Sequence, residues 1–159
     1  MSLTFKTGIN QTMKKYLYIL LALALLMLAS AEKSFACSCP VPIEPLKKQV
    51  QSAFSSADTV FSGEVIEIKE SPTDKYSLLV KFKVAKSWKG ESKNEITITT
   101  AKENAMCGYS FETGKTYLVY ANGQNEDLFT TNCSRTATFS KRGDVKYLDK
   151  LKRKKTNSN

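Results

Sequence analysis

Cys37-Ser38-Cys39 places two thiols one residue apart, directly behind a segment with the three parts of an export signal. Lys14 and Lys15 supply the positive charge, Tyr16 to Ala29 the apolar run, and Ser30 to Ala36 a small and polar exit. Cleavage after Ala36 makes Cys37 the first residue of the mature chain. A free α-amine then stands beside a side chain destined for a disulfide. Amine nitrogen and carbonyl oxygen of one residue can close a five-membered ring on a metal, so the new terminus is a candidate metal-binding group.

Two cleavage sites fit the small-residue rule, Ala29-Ser30-Ala31 and Ser34-Phe35-Ala36. The second is preferred because it exposes Cys37. Residues 1–36 are thus read as a signal peptide, with Met13 as a possible true start. The apolar run falls short of the roughly 20 residues that span a bilayer. A lipid anchor on Cys37 is the lesser alternative: Ser34 occupies the place where lipoprotein signals carry Leu, and Glu32 and Lys33 interrupt the run.

Four cysteines in an exported chain imply two disulfides. Cys37 and Cys39 are too close to bridge each other, so each must reach Cys107 or Cys133, and two connectivities remain open. Either closes loops of roughly 70 residues or more, for which chain entropy predicts about 4 kcal/mol each. A zinc site built from all four would want paired C-x-x-C knuckles, whereas Cys107 and Cys133 stand alone.

The chain has no histidine, which removes the Ser-His-Asp triad, the Cys-His pair and the HExxH zinc site. Acidic residues sit mostly singly in strand-like segments, where solvated faces explain them. A binding protein is expected rather than an enzyme, and no cofactor. Of 24 Lys+Arg and 15 Asp+Glu, four and one precede Cys37, leaving 20 and 14 and a net of +6. Lys141 to Lys155 alone holds eight basic and two acidic residues, again +6. The body is therefore near neutral, and nucleic acid is not an expected partner. A basic tail, residues 152–159, is read as solvated and able to attract anionic cell-wall polymers or membrane weakly.

Around these residues the chain reads as mainly β. Pro40, Pro42 and Pro45 stiffen the first mature residues into an extended segment. Leu46, Val50 and Phe54 recur at spacing four and predict a short helix ending near Asp58. Strands are expected over Thr59–Lys69, Tyr76–Trp88, Glu95–Ala101, Thr116–Ala121 and Leu128–Thr131. Val145, Leu148 and Leu151 suit a C-terminal helix. Five strands with an early and a late helix predict a small closed or partly closed barrel over residues 37–151, as a monomer. A sandwich would need about seven strands and a Cys–Trp–Cys pattern.

In this order the motifs become recognisable. Cys-Ser-Cys followed by prolines, Ala53-Phe54-Ser55-Ser56-Ala57-Asp58, Trp88-Lys89-Gly90, Ala105-Met106-Cys107-Gly108, Gly114-Lys115-Thr116-Tyr117 and a later Cys133 together resemble the tissue inhibitors of metalloproteinases. More broadly they resemble the netrin-like modules built on the same five-stranded OB-like barrel. The resemblance implies the pairs Cys37–Cys107 and Cys39–Cys133. It further implies a secreted inhibitor whose Cys37 amine and carbonyl chelate the catalytic zinc of a target metalloprotease. Ser38 would enter the pocket beside that zinc, with Cys39 and Pro40 following and Cys107 and Gly108 as a second contact strip. A netrin-like module without inhibitory activity, binding at the cell surface or in the extracellular matrix, is the alternative. One departure is visible: the family's third disulfide would begin at Ser55, so that bridge is absent.

Overall fold

The computed structural model describes residues 11–29, 37–124, 127–139 and 143–156. Its contacts divide the chain into two units, with the boundary between Phe35 and Ala36. The first contains helix α1 (Gln11–Ala29). No described helix is long and apolar enough to cross a membrane.

The second unit is organised by β1 (Thr59–Glu70), which pairs antiparallel with β2 (Ser77–Lys89) on one side and β4 (Thr116–Ala121) on the other. A strand paired on both edges and packed on both faces is covered on both, and its side chains must be apolar or small. Thr59 to Gly63 are accordingly all buried. β3 (Glu95–Ala101) adds to β2, and β5 (Ala137–Thr138) to β4, giving the order β3-β2-β1-β4-β5.

Side chains alternate across this sheet and create two cores. Phe61, Val65, Phe82, Ile98, Tyr117 and Val119 fill one face. Val60, Leu118, Tyr120 and Trp88 fill the other, together with Val50 of α2 (Leu46–Ser56) and Leu148 of α3 (Val145–Thr156). Each fully buried aliphatic side chain of this kind contributes about 2 kcal/mol of transfer free energy. The sheet bends at Gly63, where the β1–β2 register shifts and an added Cβ would lie 2.8 Å from the Lys83 carbonyl oxygen.

The Trp88-Lys89-Gly90 motif is a docking device for the helices. Trp88 Nε1 and Lys86 Nζ both donate to Asp149 Oδ1 of α3, at 2.6 and 2.7 Å. Those two donors, Lys86 first, hold the Asp149 carboxyl below its ordinary range. Lys89 Nζ donates to the carbonyls of Phe54 (2.9 Å), Ser55 (3.0 Å) and Ala57, capping the end of α2 where unpaired carbonyls concentrate negative charge. Gly90 then turns at φ 87°, with Thr59 pressed against it.

Three expectations change. The five strands form one antiparallel sheet whose ends are β3 and β5, and the named strands do not close into a barrel. Leu128–Thr131, expected as the fifth strand, makes isolated bridges instead, from Phe129 to Thr99 and to Asn122. Its residues bond alternately to two neighbours, Leu128 and Thr130 to Thr99 and Phe129 to Asn122, so neither side accumulates a ladder. The fifth strand is Ala137–Thr138, two residues with no alternation for a sequence pattern to detect. The C-terminal helix also continues past Leu151 to Thr156, and Lys152 Nζ donates to the Ser87 carbonyl at 2.7 Å. The expected tail boundary therefore falls inside α3.

Candidate functional site

The segment that begins at Cys37 is tied to the body at two sulfurs. Cys37 pairs with Cys107 and Cys39 with Cys133, with Cα separations of 5.2 and 5.1 Å. The Cys37 main-chain N–H donates to the Ala105 carbonyl at 3.2 Å. Beyond Cys39, the proline-spaced segment runs exposed to Pro45, with Val41 86% and Ile43 98% accessible. Proline fixes φ, so the segment stays extended without strand partners.

The opposing strip is short and tightly folded. Asn104–Met106 form a single 3-10 turn, closed by Cys107 in the left-handed region at φ 65°. The Cys107 N–H returns to the Asn104 carbonyl (3.0 Å) and the Gly108 N–H to the Glu103 carbonyl (3.1 Å). Gly108 is buried, and a Cβ there would sit 2.0 Å from the Ala101 carbonyl oxygen. Its lack of a side chain lets the strip fold tightly, while Met106, 48% exposed, faces outward.

Asn132 joins the two halves, and nothing in the sequence singled it out. Its N–H donates to the Cys107 carbonyl (2.9 Å), and its Nδ2 to the Asn104 carbonyl (3.3 Å). Its Oδ1 packs 3.3 Å from Cys37 Sγ and 3.5 Å from Cys39 Sγ. The one available hint was its position next to Cys133. Sulfurs of Cys37, Cys39 and Cys133 lie within 4.8 Å of one another. All three are in disulfides and offer no thiolate to a metal.

Behind the segment lies a groove of ≈ 840 Å³ walled by Pro40, Pro42, α2 and the Thr131–Arg135 loop. At its inner end Arg135 donates from Nε and Nη2 to the fully buried Asp144, both at 2.8 Å, and from Nη1 to Gln49 Oε1 at 2.5 Å. Tyr120 donates its hydroxyl to Asp144 Oδ2 at 3.0 Å. Burial foremost, then the Asp144 charge, pushes the Tyr120 phenol well above its usual range. The hydrogen bond to Asp144 raises the Arg135 guanidinium further.

Of the residues expected at the site, Cys37, Ser38, Cys39 and Pro40 form one continuous edge, and Cys107 is joined to it covalently. The family model of the tissue inhibitor of metalloproteinase matches residues 35–150. The chain belongs to the tissue inhibitor of metalloproteinase family. No curated relative matches it. In this tissue inhibitor family member the Ser55 carbonyl accepts from Lys89, so an ion-to-carbonyl cap ties α2 to β2.

Proposed function

We propose that the mature protein begins at Cys37, is secreted, and inhibits a zinc metalloprotease by chelating its zinc through the Cys37 amine and carbonyl oxygen. The observation that carries this reading is the hydrogen bond from Cys37 N to Ala105 O, beside the Cys37–Cys107 bridge, in a chain of this family. A neutral α-amine has two N–H bonds and one lone pair. One N–H remains on Ala105, and the lone pair is free for a metal. With an ordinary pKa of about 8, the amine releases its proton to solvent as zinc takes the lone pair, at modest cost. Zinc in a protease keeps an open coordination position for such donors. Ser38, small and exposed, fits a pocket beside the metal with little clash.

The protein contributes rigidity rather than chemistry. Two disulfides and three prolines remove the ordering entropy that a free peptide would lose on entering a cleft. Protein starting at Cys37 should inhibit members of a panel of zinc metalloproteases reversibly. One additional N-terminal alanine turns the amine into an amide without a basic lone pair, and should abolish most inhibition while circular dichroism and Tm stay constant. Failure of the Cys37 form across the panel would favour a non-inhibitory netrin-like binding module. Equal potency of the extended form would place the contact on another surface.

A further inference from the structure

The segment that carries the proposed inhibitory edge needs an anchor between its disulfides and α2. Among the described residues, Gln49 supplies the one hydrogen bond to the main chain of Pro40–Glu44: its Nε2 donates to the Glu44 carbonyl at 2.5 Å. Its Oε1 accepts from Arg135 Nη1, also at 2.5 Å. The amide orientation is chemically forced, because a carbonyl can only accept and a guanidinium can only donate. Arg135 is in turn fixed by two bonds to Asp144, whose side chain is wholly buried.

We propose that Gln49 is a positioning residue that transmits the rigidity of the buried Arg135–Asp144 pair to the exposed Pro40–Pro45 segment, and so sets the angle at which the Cys37 edge is presented. The proposal rests on the inhibitor reading for its functional consequence, but its mechanical content does not. Lys48 and Glu44 form a solvent-exposed ion pair at 3.2 Å on the same turn; such a pair holds a side chain in salt-screened contact and cannot fix a main chain. Prolines 40, 42 and 45 fix their own φ and keep Val41 and Glu44 extended, which stiffens the segment without fixing its direction against the body; the Gln49 bond to the Glu44 carbonyl supplies that reference. Val41 and Ile43, nearly fully exposed, bring no packing to do this instead.

Two substitutions separate the halves of the clamp. Gln49→Glu keeps an acceptor for Arg135 and removes the donor to Glu44, whereas Gln49→Met removes both. In the mature disulfide-bonded protein, ¹⁵N relaxation should give order parameters near the rigid value of about 0.85 for the Val41, Ile43 and Glu44 amides, falling below about 0.6 in both variants. Tm should be retained in Gln49→Glu. Against the zinc metalloproteases of the same panel, both variants should inhibit roughly three- to tenfold more weakly than the parent, as expected when one hydrogen bond and its ordering are lost. Unchanged order parameters in the variants, or a parent segment already below about 0.6, would overturn the clamp. A parent that inhibits nothing while the relaxation contrast holds would leave the clamp standing and remove the inhibitor reading.

Discussion

The Sγ atom of Cys37 lies 3.6 Å from the Sγ atom of Cys133, to which it is not bonded. The two disulfides therefore touch, with one sulfur of each in van der Waals contact with the other bridge. Exchange between them needs a thiolate, and none exists while both bridges are closed.

Cys107→Ser provides that thiolate. The released Cys37 sulfur can attack Cys133 Sγ, forming Cys37–Cys133 and expelling the Cys39 thiolate. Non-reducing peptide mapping of the variant should show both Cys39–Cys133 and Cys37–Cys133, while a Cys37→Ser/Cys107→Ser double variant should show only Cys39–Cys133. A single clean bridge in Cys107→Ser would mean that the sulfurs are held apart in solution. Loss of the 70-residue crosslink should lower stability by about 4 kcal/mol in either case.

Gly108→Ala and Gly114→Ala separate crowding from backbone strain. At Gly108 the new Cβ would meet the Ala101 carbonyl at 2.0 Å, and main chain on both sides cannot yield. A loss of about 3 kcal/mol is expected in chemical denaturation. Gly114 has φ 80° but nothing within 4 Å of its Cβ position, so only left-handed strain remains, about 1 kcal/mol. The reverse order would indicate that the Cys107 strip opens freely.

Tyr120 makes alkaline stability a reporter of the buried polar cluster. Its phenol is raised in the fold, by burial first and by Asp144 second. The folded protein thus binds this proton more tightly than the unfolded chain. The contribution is complete below the unfolded value of about 10 and is lost as pH rises above it, at about 1.4 kcal/mol per pH unit. Tyr120→Phe should flatten that alkaline decline in pH-dependent urea unfolding. An unchanged slope would mean that the hydroxyl is solvated.

Asp149 reports the docking of α3 at the other end of the scale. Its carboxyl is depressed by the hydrogen bond from Lys86, then by that from Trp88. Stability from it is present above the unfolded value of about 4 and lost as pH falls through the lower folded one. The site is partly exposed, so Asp149→Asn should cost only about 1 kcal/mol at neutral pH. It should remove part of the acid-side decline in the same titration. Equal acid sensitivity of variant and parent would mean that α3 is held by Leu148 packing alone.

Local signals carried much of this in the sequence. β1 to β4 were legible within a residue or so at each end because alternation and β-branching report a half-buried strand directly. The helix over Leu46–Ser56 followed from spacing four, and the expectation of two disulfides followed from four cysteines behind a segment patterned like an export signal. The bridge partners came from the likeness of ordered motifs, since spacing left two pairings open. Tertiary structure alone decided the rest, and for one reason: the deciding contacts join residues far apart in the chain. Lys89 caps α2 across 35 residues, and Gln49 meets Arg135 across 86. Asn132 reaches the Cys37–Cys107 junction across 95. A polar side chain in a sequence carries no mark of the partner it will find. Asp144 reads like any other acidic residue ahead of a helix until the fold buries it with Arg135 and Tyr120 around it. The same holds for Ala137–Thr138, a strand only because Leu118 and Tyr117 of β4 offer it an edge to pair with.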